Sequence, residues 1–476
     1  MKKKSQMAFH RPWPRTYPAR PKMVSKRKAQ KLPIPKGPNL GSIQTIRQVL
    51  FNTTRFFLSL QENYGEVASF YLNRKLYIGL FSPEQVYNLY TEYDDKLIKG
   101  LASRKTRKIV GDGIITSEDP IHKQHKKMMQ PSFHKNKIET YVEDMYKEII
   151  KHTQKWDNKN QIELVPEILD LTLKIVSKNL FSIDANKYSK TIAENLEIAV
   201  DRIATTMLPS LTLLDNSPLP WFRKYRDAAY NLSEIMDNIL AERKTSGKTY
   251  DDLLSLLSEA VDENGNKFTE SELKEEALTI ILSGHETTAN LITWAILQLN
   301  SNPIFLERLR KEAEESAWIK ENRAPSIDEL YGSMEVANII KETLRLHPPL
   351  WTTMRQAIEE IKTDKIYIPK GANVFVSQYV SHRNPKYFPE PRQWNPDRWL
   401  NNFEKTLPKG AYFPFGYGGR RCIGSHFAMI EASLVLLYVA YNYDIRYTEK
   451  NRALPKIRPR ASLRPKGKVV VQVTKK

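Results

Sequence analysis

The sequence predicts a mainly helical fold with a small strand-rich part. Three observations carry that expectation. Helical periodicity dominates from Lys135 to about Tyr250. A capping box, Thr269-Glu270-Ser271-Glu272, and the next strong breaker, Pro303, bracket one long helix. It would run about 30 residues, or about 45 Å at 1.5 Å per residue, enough to cross the molecule. The strand-like runs are few and short.

The elements follow in chain order. The first acidic residue is Glu62, and before it lies a basic, proline-rich stretch, "RPWPRTYPARPKMVSKRKAQK". It has no apolar core and so does not resemble a secretory signal. The absence of acids suits a transit peptide, but the prolines would break an amphipathic helix. Residues 1–40 are therefore expected to form a solvated, partly disordered arm. "EVASFYL", "NRK" and "LYIGLF" read as a hairpin of two strands. Ser82-Pro83-Glu84-Gln85 follows, with proline at the first helical position, so a helix should start at Ser82. The helical run from Lys135 breaks at Leu208 to Pro220, "LPSLTLLDNSPLP", which is apolar for a loop. After the long helix, "EVANIIKETLRL" forms another that stops at Pro348 and Pro349. Strands are expected at "KIYI" and "NVFVSQYV", then an irregular proline-rich stretch to Pro414. The loop "FPFGYGGRRCIG" (Phe413 to Gly424) comes next, and a last helix begins near Ser425. There is no internal repeat and no low-complexity linker.

Composition bounds the function. A formal charge of +20 over 476 residues points to an acidic partner or surface without naming it. A nucleic-acid-binding reading rests on that charge alone, since no matching motif is present. Cys422 is the one cysteine, which excludes an intrachain disulfide, a four-cysteine zinc site and a cluster held by this chain alone. No apolar run reaches the roughly 18 residues a membrane-spanning helix needs. The longest, "LVLLYVAY" (Leu434 to Tyr441), is too short.

A lone cysteine is most simply a buried, inert residue. Its neighbours argue otherwise. Gly416, Gly418 and Gly419 let backbone approach closely and take φ > 0, and such a loop can aim N–H groups at a sulfur. Gly424 allows a tight turn into the following helix. Arg420 and Arg421 favour a thiolate, and Arg420 can hold a carboxylate bidentately. A phosphate-cradling loop fails on detail, because neither G-x-x-x-x-G-K-[ST] nor G-x-G-x-x-G is present. A cysteine nucleophile with His426 rests on a spacing that chance supplies often. A single thiolate on a haem iron, with arginine on a haem propionate, uses every feature.

Phe415, Gly416, Gly418, Arg420, Cys422 and Gly424 match F-G-x-G-x-R-x-C-x-G, the haem-binding signature of the cytochrome P-450 superfamily. On these residues the chain resembles that superfamily and, with no membrane anchor in the sequence, a soluble, bacterial-type member of it. Three further stretches agree, in the family's order, and the likeness covers the chain from about Gly41, giving one large domain over 41–476. "SGHETTAN" (Ser283 to Asn290) resembles the distal oxygen-activating motif. The resemblance implies that Gly284 lets oxygen bind close to the helix. It also makes Thr287 the hydrogen-bond partner of bound dioxygen and Glu286 a proton carrier, with His285 a bystander. Ser283 stands where many members have alanine or glycine, its hydroxyl bonding its own helix, water or substrate. "ETLR" and "NPDRW" supply Glu342, Arg345 and Arg398, which resemble the family's buried structural triad. Asp397 and Trp399 depart from the usual Pro-Glu-Arg-Phe. In "IHKQHKKMMQPSF", His122 and Lys126 occupy the places of a propionate-binding pair, against the plainer reading of a solvated basic helix face. Arg355 resembles another propionate contact.

The resemblance implies haem b with Cys422 as axial ligand, and a long central helix over the haem. It implies a monooxygenase that uses O₂ and electrons from a separate ferredoxin or flavodoxin with its reductase. By family position the loop from Ile98 to Ile115, the break at Leu208 to Pro220, Ser283, Leu350 and Thr352 line a pocket for a hydrophobic small molecule. Fatty acids, terpenoids and steroids all suit it. Without a membrane anchor the expectation is a soluble, cytoplasmic enzyme, the basic arm being able to touch a membrane surface. The same scaffold can use or rearrange a peroxide, which needs no Glu–Thr relay, or serve as a non-catalytic haem sensor, for which no signalling domain is visible.

Overall fold

The computed structural model describes residues 24–25, 33–182, 185–205, 217, 219–248, 250–448 and 453–476. Most of the basic arm and most of the 208–220 break lie outside them. Two helices, α1 (Ser42–Phe51) and α2 (Thr53–Tyr64), lead into the hairpin β1 (Val67–Leu72) and β2 (Lys75–Leu80). Asn73 and Arg74 both take positive φ (48° and 60°), the tight two-residue turn whose twist suits a hairpin. α3 (Pro83–Thr91) starts where expected, with the Ser82 hydroxyl accepting from the Gln85 N–H. Then come β3 (Leu97–Lys99), α4 (Leu101–Val110), α5 (Ile121–Met129) and α6 (Lys135–Thr153).

The helical run beyond is interrupted by β4 (Gln161–Glu163), which local periodicity did not predict. It exists because β12 (Val470–Lys475), at the far end of the chain, pairs with it and with β9 (Tyr443–Tyr447). α7 (Leu164–Phe181), α8 (Ala185–Thr205), α9 (Pro220–Ser246) and α10 (Leu253–Glu259) follow.

The long helix α11 spans Glu270–Ser301, 32 residues. Both halves of its capping box are made: Thr269 Oγ1 accepts from the Glu272 N–H, and Glu272 Oε2 accepts from the Thr269 N–H at 2.8 Å. Pro303 opens α12 (Pro303–Glu315), and α13 (Met334–Leu346) ends before the two prolines.

The strand-rich part is a five-stranded sheet in the order β1-β2-β8-β5-β3, with β5 (Thr353–Ala357) and β8 (Asn373–Val376) central. β6 (Ile361–Lys362) and β7 (Tyr367–Ile368) form a separate pair. The expected strand "NVFVSQYV" stops at Val376. The Ser377 hydroxyl accepts from the Val380 N–H and caps a single helical turn over Gln378–Ser381, a local bond that competes with the ladder. The last helix, α14, is Ser425–Asn442. A small hairpin, β10 (Ile457–Pro459) and β11 (Leu463–Pro465), completes the chain's turns before β12. The main apolar core lies between α6, α7, α9, α11, α13 and α14, and a second lies against the five-stranded sheet. No helix of the described residues is long and apolar enough to cross a membrane.

Two details bear on the arm. Val24 is buried against the sheet, with its carbonyl accepting from the Leu76 N–H at 3.2 Å. Pro35 and Lys36 also bond Ser69, so the body of the fold reaches back into the first forty residues.

Candidate active site

The loop before α14 is shaped around one sulfur. Gly416 and Gly418 take positive φ (70° and 59°), and a Cβ on Gly418 would lie 2.3 Å from the Tyr90 carbonyl oxygen. Gly419 and Gly424 do not need the left-handed region: Gly424 sits at φ −86° as the N-cap of α14. The Cys422 N–H donates to the half-buried Phe415 carbonyl at 2.9 Å, closing the loop. The Gly424 N–H in turn donates to the Cys422 sulfur. Cys422 is accessible yet closely surrounded by protein, and that burial pushes its thiol pKa up. Lys126 and Arg421 oppose the rise and favour the thiolate. Arg420, expected to share that task, is turned elsewhere. The Lys126 ammonium donates to the Gly419 and Arg421 carbonyls at 2.7 and 2.8 Å, so α5 braces the loop directly.

Arg420 belongs to a buried charged cluster beside the loop. Its guanidinium lies 3.3 Å from Asp94, 3.2 Å from Glu118 and 3.4 Å from Asp119. β3 pairs with β5 so that Lys99 stands directly opposite Arg355, and both are buried. Like charges placed opposite on neighbouring strands repel. The Lys99 ammonium donates to the Ile114 carbonyl at 2.7 Å, and burial, followed by Arg420, holds its pKa well below the ordinary lysine value. His122 on α5 completes the cluster. Burial pushes it down to about 3, with Lys99 and Arg420 adding to the effect against an opposing Asp119. Its Nδ1 reaches Asp119 only at 3.5 Å and makes no hydrogen bond. Lys99 was missed in the sequence. Its signal was register, since only the β3–β5 pairing places it opposite Arg355.

Glu342, Arg345 and Arg398 come together in a different kind of cluster. All five N–H groups of Arg345 have partners: Glu342 through two at 2.9 and 2.8 Å, and the carbonyls of His382, Pro391 and Gln393 at 2.7–2.8 Å. Glu342 also accepts from the Asn395 N–H at 2.9 Å, from Trp399 Nε1 at 3.0 Å and from Arg398 Nε at 3.5 Å. Trp399, a departure from the expected motif, is thus a donor that phenylalanine could not supply. Asp397 turns outward to Arg308 at 2.7 Å.

On α11 every residue from Glu275 to Leu299 is buried except Ser283, Gly284 and Thr287. These lie at i, i+1 and i+4, on one side of the helix. Thr287 Oγ1 donates to the Ser283 carbonyl at 2.7 Å, and Ser283 Oγ donates to the Thr279 carbonyl at 2.8 Å. The Ser283 hydroxyl is therefore committed to its own helix. Gly284 serves helix packing as well: a Cβ there would meet Val176 of α7 at 3.3 Å. Glu286 is not beside Thr287. Its carboxylate is buried against Arg464 Nε at 2.7 Å. Burial lowers the His285 pKa, and its Nδ1 bonds the Ile281 carbonyl at 2.9 Å. Of the segment after α13, Leu350 is 48% exposed, whereas the Thr352 hydroxyl donates to the Val376 carbonyl at 2.9 Å.

The cytochrome P450 family profile matches residues 32–473, nearly the whole chain. The chain belongs to the cytochrome P450 family. Among curated P450 relatives, cyclooctatin synthase of Streptomyces melanosporofaciens is 32% identical over 367 residues, covering 76% of this chain and 79% of that protein. Cyclooctat-9-en-7-ol 5-monooxygenase of the same organism is 29% identical, covering 73% and 76%. Pentalenene oxygenase of Streptomyces avermitilis is 27% identical, covering 71% and 74%. The solved structure of retinoic acid-bound cyanobacterial CYP120A1 superposes with a TM-score of 0.82 over 94% of this chain and 100% of that one, at 22% identity, which shares the P450 fold. The protein is a haem-thiolate oxidoreductase of the monooxygenase type. The residues present fit a P450 haem: an accessible sulfur with an N–H aimed at it, and beside the loop a buried charged cluster in which Lys99 and Arg355 stand opposite each other.

Proposed function

We propose that this P450 inserts one oxygen atom of O₂ into a C–H bond, or a double bond, of a hydrophobic small molecule. The relatives named cyclooctatin synthase and pentalenene oxygenase favour a terpenoid over a fatty acid or steroid. The observation that carries the reading is the partly exposed stripe Ser283–Gly284–Thr287 on a helix otherwise buried from Glu275 to Leu299. Haem b supplies the activation of O₂ when bound. Cys422 would hold its iron, with Phe415 and Gly416 shaping the loop. Arg420, Arg355, His122 and Lys99 would hold the propionates, while Lys126 chiefly braces the loop. Thr287 Oγ, its own proton given to the Ser283 carbonyl, is left as an acceptor on the open side. Glu286 is the acid that replenishes protons there. Leu350 and Thr352 flank the substrate, and Glu342, Arg345 and Arg398 are structural.

Electrons come from a ferredoxin or flavodoxin with its reductase, docking by charge in the cytoplasm. The catalytic domain is 41–476 with the parts of the basic arm, 1–40, that bond its sheet, and the rest of the arm can touch acidic surfaces. Thr287→Ala tests the reading: haem content should stay nearly unchanged while peroxide release rises at the expense of product. Unaltered coupling would remove the assigned role.

A further inference from the structure

Glu286 and Thr287 are adjacent in sequence, yet their side chains serve different surroundings. Thr287 is half-exposed. Glu286 is buried, and one oxygen, Oε1, accepts from both Arg464 Nε and Ser462 Oγ of the β10–β11 hairpin. The next two turns of α11 grip the same hairpin. Asn290 Nδ2 donates to Ser462 Oγ at 2.9 Å, and Trp294 Nε1 donates to the Leu463 carbonyl at 2.9 Å. Residues 286, 290 and 294 are spaced i, i+4, i+8, a single stripe along the helix.

The other side of the hairpin reaches α8. Arg460, at the tip, forms an ion pair with Asp201, and Glu197 one turn earlier adds attraction. The tip also touches the segment after α13: Trp351 Nε1 donates to the Arg460 carbonyl at 2.9 Å, and the Leu463 N–H to the Pro349 carbonyl at 3.0 Å. Five residues, 460–464, therefore tie together α8, α11 and the 349–351 segment. Strand pairing of Arg458 with Arg464 and of Pro459 with Leu463 stiffens them. Arg460 and Arg464 repel each other, so each depends on its own acid.

The geometry points to a latch: the β10–β11 hairpin couples the position of α8, through Arg460 and Asp201, to the release of Glu286 from Arg464 for proton delivery. Arg464 is a positioning residue that keeps the carboxylate docked while α8 is in place. Displacement of α8 when substrate binds moves the 460–464 segment and frees Glu286 to turn toward Thr287. The inference rests on Glu286 being the proton carrier.

The test needs no substrate. The holoenzyme, with excess ferredoxin and reductase, is assayed for peroxide release without substrate, in which two electrons and two protons convert O₂ to H₂O₂. Asp201→Asn and Arg464→Gln should each raise that rate about threefold or more, with a solvent deuterium isotope effect that the parent enzyme lacks. The two gains should not add, and Arg464→Lys should restore the low rate. The ferrous–CO spectrum checks that each variant holds haem normally. Asp201→Asn, on a half-exposed side chain, keeps the test decisive where Arg464→Gln fails to fold. Unchanged rates, or additive ones, overturn the latch. If rates rise but persist when Glu286→Gln is added to Arg464→Gln, the proton-carrier reading fails instead.

Discussion

Two buried charged clusters flank the thiolate loop, and they are built on opposite terms. Around Glu342 the account closes: Arg345 has five N–H groups and five acceptors, all at 2.7–2.9 Å. Around Arg420 it stays open. Arg420 donates to Asp94 and Glu118 at the longer distances of 3.3 and 3.2 Å, Asp119 lies at 3.4 Å, two cations oppose each other across β3 and β5, and a buried histidine nitrogen has no hydrogen bond. A buried charge with every partner supplied by its own chain is a structural device. One with longer contacts and a like-charged neighbour is the better candidate for a cofactor's anionic groups. In the proposed enzyme the closed cluster is scaffold and the open one is the cofactor site.

The comparison breaks most readily at its closed half. Glu342→Gln leaves Arg345 buried without its counter-charge, and breaking a buried pair costs about 3–5 kcal/mol. Folded holoprotein should be nearly lost, read as yield and thermal unfolding of both apo- and holoprotein. A well-folded variant would mean the network is not the anchor described here.

At the open half the signs should divide. Lys99→Met should weaken haem retention about tenfold in transfer to an apo-acceptor protein, since a charged contact is worth about 1.5–3 kcal/mol. Apoprotein stability should hold or rise, because the opposed Arg355 loses its repulsive partner. A fall in both, as with Glu342→Gln, would make the two clusters alike. The same pair gives a pH dependence. The folded pKa of Lys99 is depressed, so the folded state binds its proton more weakly than the unfolded state does. Its destabilising contribution is present at low pH and is relieved as pH rises from that depressed pKa toward 10.5. Apoprotein unfolding followed across that window should show a rising stability that Lys99→Met flattens.

Trp399→Phe is the finest probe of the closed cluster. It removes one donor to Glu342 and leaves the other four, for about 1–3 kcal/mol of stability and no change in haem retention. Lost haem retention in that variant would mean the two clusters are mechanically joined.

What the sequence made legible was local. Thr269 and Glu272 cap the long helix three residues apart, Ser82 and Pro83 start α3, and the spaced glycines announce the loop around Cys422. Glu342 and Arg345 could be paired because they share a helix turn. What was hidden depends on distant partners. β4 exists only because β12 reaches it, and Lys99 meets Arg355 only through strand register. Arg464 finds Glu286 from 178 residues away, and no periodicity carries that distance. Ser377 was misread for a nearer reason, a hydroxyl able to cap the turn that ended the strand. The motif residue Gly284 was legible as a glycine but not as the contact point of α7.

The cofactor role of the open cluster requires that the Cys422 sulfur bind iron. The direct measurement is the ferrous–CO spectrum of Cys422→Ser beside that of the parent protein. The account predicts the thiolate-type Soret band in the parent and its loss in the variant, with Glu342-centred packing and overall helicity unchanged. A thiolate-type band that survives in Cys422→Ser would contradict it.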